Sequence, residues 1–254
     1  MSVPSPLGEG AGEAPSCLNC GRSLDPALAY CGHCGQKGDT HRLEVADIGH
    51  AAVHFFSHAD HSALALLRDL ALRPGRVARE YVSGRRRKHF SPFTFVLVVV
   101  GVASLVMAAS GSVNFQGMAP PNPVSAFLQR NLNLVILIQL PLLALFQWAL
   151  FRREQLHFAE HLAVASYASG FRAIFFTALV IPVWMLSGWS YRVIVFGYLV
   201  LWHVYFGIAC AQFYEGNRYW AWFKGVLAAA ATQVVTTAAI GFAIGLYFRL
   251  RLAP

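Results

Sequence analysis

Four cysteines, Cys17, Cys20, Cys31 and Cys34, are the residues of this chain best suited to chemistry, and that chemistry is metal binding. They form two C-x-x-C pairs, each followed by a glycine (Gly21, Gly35). This spacing gathers four thiolates round one ion. Zinc held by four thiolates is a closed tetrahedral site with a structural role and no open position for a substrate. The expectation is one structural Zn2+ in a small ribbon. His33 lies inside the second knuckle but is not counted as a ligand, because four sulfurs already satisfy the ion.

Other polar groups stand at suggestive positions. His50, His54, His58 and His61 follow one another at helical steps and share an arc with Asp47. Such a face can be a second metal site or a pH-sensing face, since imidazole titrates near neutrality. The polar side of an amphipathic helix is the preferred reading, with Val45, Ile48, Phe55 and Phe56 opposite. Arg85, Arg86, Arg87 and Lys88 run directly into the first long apolar stretch and suit binding to anionic lipid, at roughly 1 kcal/mol per basic residue. Gln139, His203, Gln233 and Thr236 fall near the middle of apolar stretches. If their faces converge they make a polar layer at membrane depth, where an ionisable group marks function by default. The simpler role for His203 is a neutral hydrogen bond between helices. Glu160 and His161 are neighbours, so their side chains diverge by about 100° on a helix and do not naturally work as an acid–base pair. Cys210 reads as a small packing residue. No nucleophile elbow, phosphate-cradling glycine loop or H-E-x-x-H is present, so no catalytic residue is named.

The elements that must position these groups are mostly membrane helices. The chain has 254 residues, and 56% of them are hydrophobic against 13% charged. That balance is too apolar for an ordinary soluble domain. Its net charge of +8 comes largely from residues 68–88 and from arginines that flank apolar stretches, while the part before residue 68 is net acidic. An acidic ribbon region argues against nucleic acid, which needs a basic footprint. Residues 1–16 read as a disordered leader without an export signal, 17–36 as the ribbon, 41–90 as amphipathic juxtamembrane helices with a basic collar, and 91–254 as a helical transmembrane domain.

Five stretches are long enough to cross a bilayer, which takes roughly 17–25 helical residues. They are Phe93–Ser110, Leu132–Phe151, Phe171–Trp189, Val193–Phe213 and Gly225–Phe248. Leu156–Ser169 is too short and polar to cross alone and is expected to lie at the interface or to cap the bundle as a short helix. Arg85–Lys88, Arg152, Arg153, Arg172, Arg218 and Lys224 fall on one side, which the positive-inside bias makes cytosolic. Reduced thiols place the ribbon on that same side. The carboxyl terminus is then outside. The Gly241–Gly245 pair is a small-x-x-x-small motif that permits close helix approach and a homo-oligomer.

The ribbon CLNCG…YCGHCGQ, the block PGRVAREYVSGRRRKHFSPF (Pro74–Phe93) and AEHLAVASYASGF (Ala159–Phe171) resemble an uncharacterised bacterial membrane family, the domain-of-unknown-function 3667 proteins. The resemblance implies a cytosolic ribbon on a helical inner-membrane domain and supplies no reaction. It also implies histidines where this chain has Tyr167 and Ser169, so metal or acid–base chemistry is not expected in that block. The fold class expected is an all-α polytopic membrane protein with an amino-terminal ribbon. The leading function is a non-enzymatic adaptor or assembly factor whose ribbon docks a protein partner. The alternatives are a transporter or channel-like subunit using the His203 layer, and a membrane enzyme acting on lipid-linked substrates.

Overall fold

A computed structural model describes residues 15–44, 62–110 and 132–252. The leader up to residue 14 and the histidine stripe His50, His54, His58 and His61 lie outside the described residues. Apart from the ribbon, the described chain is helical: α1 Ser62–Leu72, α2 Pro74–Val82, α3 Pro92–Ser110, α4 Leu132–Leu150, α5 Phe158–Phe175, α6 Ile181–Ser187, α7 Tyr191–Phe213 and α8 Arg218–Leu252.

Local chemistry sets the breaks. Pro74 opens α2 and holds Arg73 out of helical geometry, which separates α2 from α1. Gly84, at φ +97°, turns the chain out of α2 in a conformation that costs a side-chain-bearing residue dearly. Glu160 accepts the backbone N–H of His157 at 2.7 Å and so caps the start of α5. Pro182 has no N–H to offer the carbonyl of Ala178. The ladder widens there into a π turn, Phe176–Val180, closed by the Ile181 N–H on the Phe176 carbonyl.

Through that turn α5 and α6 run on as one helix, Phe158–Ser187. This corrects the expected interfacial or short capping segment at Leu156–Ser169: it is the first part of a long helix, and Ala159–Glu160–His161 and Ala163 to Gly170 are buried in the protein. Packing overrode polarity here, because Glu160, His161, Ser166 and Ser169 face other helices, away from lipid. Three helices among the described residues are long and apolar enough to cross a membrane, Phe158–Ser187, Arg192–Phe213 and Arg218–Tyr247. Pro92–Val106 and Val135–Leu150 are shorter apolar helices. The chain is therefore a helical membrane protein. Ile138, Phe196, Leu186, Val234 and Phe242 stand exposed round the outside, as lipid-facing side chains do.

α5 lies at the centre, against α3, α4 and α2, while α8 packs on α7 and α4. Small residues allow the closest approaches. A Cβ on Gly75 would sit 2.0 Å from the Ala209 carbonyl oxygen, so α2 lies almost backbone to backbone on α7. Gly207 and Gly225 bring α7 and α8 together, and Cys210 packs beside them, fully buried, as a small side chain. Gly241 and Gly245, by contrast, have open space beside them.

Candidate metal centre

Each knuckle folds in the same way. The Gly21 N–H donates to the Cys17 carbonyl at 2.8 Å, and the Gly35 N–H to the Cys31 carbonyl at 2.8 Å. Both glycines take positive φ, +74° and +71°. Single antiparallel bridges, Ser16 to Ser23 and Tyr30 to Lys37, close the two loops.

The four Sγ atoms lie within 4.8 Å of one another. Cys17 and Cys34 are 3.6 Å apart, Cys20 and Cys31 3.7 Å. Thiolates placed tetrahedrally at about 2.3 Å from an ion are separated by about 3.8 Å along each edge. The spacing fits one metal ion and is far too long for a disulfide, whose sulfurs lie about 2 Å apart. Backbone donors favour thiolates here. The Gln36 N–H, then the Asn19 side chain, pull Cys34 down to about 6. The N–H groups of Cys34 and His33 lower Cys31. Cys20 is also helped by the Arg22 N–H, yet burial and the three neighbouring sulfurs push it up to about 11. A cation relieves that crowding of negative charge. His33 is exposed and stands outside the group.

The ribbon is not a free module. Gln36, buried directly after the second knuckle, donates to the Gly84 carbonyl at 2.9 Å and accepts the Arg86 and Arg87 N–H groups at 3.1 and 3.2 Å. Leu18 fills the space beside Gly84 that a side chain there would need. Further on, Arg42 grips Glu160 with two bonds of 2.8 and 2.7 Å and also donates to the Gln155 carbonyl, while Leu43 enters the core. Sequence reasoning missed Gln36 and Arg42. The only local sign of the first was a polar amide immediately after a knuckle.

The basic collar is consequently split. Arg86 donates to the His41 carbonyl and lies over the Tyr81 ring, and Lys88 pairs with Glu80 at 2.7 Å. Arg85 and Arg87 remain exposed. Fixing the ribbon therefore takes part of the charge that was expected at the lipid surface.

The family model described as "Protein of unknown function (DUF3667)" matches residues 66–103, which run from α1 through the collar into α3. The chain resembles that family. No curated protein and no solved structure matches it. The stretch that matches the DUF3667 family carries Gly75, Gly84 and the collar, so it holds both the α2–α7 contact and the platform under the ribbon. The four cysteines and the Glu160–His161 block lie outside the matched stretch.

Glu160 and His161 go separate ways. Glu160 is held by Arg42, whereas fully buried His161 meets the Tyr214 hydroxyl at 2.6 Å, which in turn donates to Gln147 at 3.0 Å. Tyr167, at the position where the family resemblance implied a histidine, is buried and donates to the Phe90 carbonyl.

The polar layer round His203 does not assemble among the described residues. His203 Nδ1 bonds the Leu199 carbonyl of its own helix at 2.6 Å, and Thr236 bonds the Thr232 carbonyl. Gln233 reaches Thr237 on the same helix. Gln139 instead meets Arg172, whose Nη1 lies 3.3 Å from its oxygen. The reason is reach: a hydroxyl or imidazole one turn from a backbone carbonyl satisfies itself locally before it can bridge helices. Arg172 itself is expected from the sequence at the ribbon-side end of the span Phe171–Trp189. It lies inside the bundle, donating to the Tyr198 hydroxyl at 2.7 Å with its guanidinium 4.6 Å from the Trp202 ring centre.

Proposed function

We propose that the protein is a membrane-embedded adaptor whose Zn2+-bound ribbon, fixed on the cytosolic end of a five-span bundle, docks a protein partner. One observation carries the reading: the ribbon is clamped to the bundle through Gln36 and Arg42, while the loop between its knuckles stays outward, with Leu28 53% and Tyr30 61% exposed. A four-thiolate ion has no free position for a substrate, so the ribbon's contribution is shape. Metal binding supplies the folding energy that so small a unit lacks. A clamped ribbon then presents Leu28 and Tyr30 at little further entropic cost.

The same contacts weigh against the alternatives. A transporter built on the His203 layer loses its interhelical polar contacts, and an enzyme built on Glu160 and His161 loses its reactive pair to Arg42 and Tyr214. The inner-membrane setting, with anionic lipid at Arg85 and Arg87, rests on the basic bias of the ribbon side.

The test is a photo-crosslinker placed in turn at Leu28, Tyr30 and Leu145, the last on the lipid-facing side of α4. The adaptor reading expects one protein product from Leu28 and Tyr30, lost when Cys17 and Cys20 are both serine, and absent from Leu145. Equal labelling from all three positions, or labelling that survives the double serine change, would sink it.

A further inference from the structure

An arginine in the apolar section of a helix bundle is expensive, about 2.5–3.5 kcal/mol at a helix centre on insertion scales, and normally has a partner or a task. Arg172 lies at that depth. Its contacts Gln139 and Trp202 are each eleven residues from the ribbon-side ends of α4 and α7, and Tyr198 is fifteen, which is about 16–22 Å at the helical rise.

Among the described residues its charge has no counter-ion. Within the helices α3 to α8 Glu160 is the only carboxylate, and Arg42 already holds both of its oxygens; Glu154 and Glu215 lie in the ribbon-side connections. Among the described residues Arg172 forms no ion pair. Its neighbours position the guanidinium without neutralising it: Nε is spent on Tyr198 and one Nη1 hydrogen on Gln139, and the group lies against the rings of Trp202 and Tyr198. A guanidinium has five N–H donors. Three remain, one on Nη1 and both on Nη2, the two nitrogens that can grip a carboxylate or phosphate together. Arg172 is only half-buried.

A second feature lies one turn away. The π turn Phe176–Val180 interrupts the helix just after Arg172, and within it the buried Thr177 hydroxyl has no partner among the described residues. Such turns recur where helices serve function.

We propose that Arg172, positioned by Tyr198, Gln139 and Trp202, is an oxyanion-binding site within the membrane-embedded helices. Its ligand is a single phosphate or carboxylate, carried on an amphiphile in the bilayer or arriving free from water. The site is independent of the ribbon and of the adaptor reading.

The experiment uses the full-length protein in a neutral maltoside detergent, with dodecyl phosphate, dodecanoate and inorganic phosphate as probes. Binding is read by native mass spectrometry and by the shift of the thermal midpoint. Wild type should hold one probe molecule, and Arg172→Gln should bind at least tenfold more weakly. Arg172→Lys should fall between them, because it keeps the charge and loses the fork. Tyr198→Phe should weaken binding severalfold by freeing the guanidinium. Preference for the two amphiphiles over inorganic phosphate places the source in the bilayer, and equal affinity for inorganic phosphate places it in water; either supports the site. Failure of wild type to bind any probe overturns it, as does undiminished binding by Arg172→Gln. Should Arg172→Gln not fold, unchanged affinity in both Arg172→Lys and Tyr198→Phe overturns it instead.

Discussion

Gln36 makes three hydrogen bonds from one buried amide, to the Gly84 carbonyl and to the N–H groups of Arg86 and Arg87. Truncating it strands those groups beneath the ribbon. Gln36→Ala should therefore weaken the ribbon's attachment by about 2 kcal/mol, the cost of buried polar groups left unsatisfied. Limited proteolysis between residues 37 and 44 should speed up accordingly, with metal content unchanged. The cysteines respond differently. Cys17→Ser combined with Cys20→Ser removes two of four thiolates, so elemental analysis, expected to find one zinc ion per chain in the wild type, should find none in the double variant. An intact protein without zinc, or a double variant that retains it, would refute the metal assignment.

At the scale of elements, the turn between α2 and α3 joins ribbon and bundle, and its charges make it sensitive to acid. Burial raises the Glu80 carboxyl, but hydrogen bonds from Lys88 and His89 outweigh this and hold it at about 2, below its ordinary 4.5. Burial keeps His89 below its ordinary 6.5, although Glu80 opposes the shift. Both groups bind protons more readily when the turn is unfolded. The stability they supply is thus complete above pH 6.5, declines as pH falls through 6.5 and then 4.5, and is gone near pH 2. The thermal midpoint should drop between pH 7 and pH 3, and Glu80→Gln should remove the part of that drop that falls below pH 4.5. A midpoint that rises on acidification would contradict the assignment. The α2–α7 contact makes a separate demand: Gly75→Leu drives a side chain into the Ala209 carbonyl and should destabilise by about 3 kcal/mol, as overpacking does. The same change at Gly241, which has open space beside it, should be tolerated.

For the whole molecule, alternating helix directions place the ribbon, the Leu150 end of α4 and the Phe213 end of α7 together, with α8 leaving toward the opposite end. On the five-span reading, reporter fusions after Gly216 and after Leu252 should report opposite sides of the membrane. The same side for both would remove one crossing. Docking also makes the order of residues 37–44 depend on the metal-held ribbon. Chelation should expose residues 37–44 to protease and leave the bundle helical, because the core around Tyr167 of α5 and Phe206 and Phe213 of α7 contains no residue of the ribbon 17–36.

The sequence by itself determined the four-thiolate cluster, the membrane character and the helical class, because each depends on local spacing or on composition summed along the chain. C-x-x-C-G specifies its own turn, and a long apolar run specifies a lipid-facing helix wherever it sits. What only the tertiary structure decided depends on partners distant in sequence. Arg42 finds Glu160 across 118 residues, and Gln36 finds Gly84 across 48. Arg172 reads from the sequence as the ribbon-side end of a span starting at Phe171, and it lies instead deep beside Gln139 and Tyr198 because α5 begins at Phe158, earlier than its polarity suggested. His203 drew attention by its depth and then satisfied itself one turn away. Depth along a helix is written in the sequence; the direction a side chain faces, and what waits there, is set by how the helices pack.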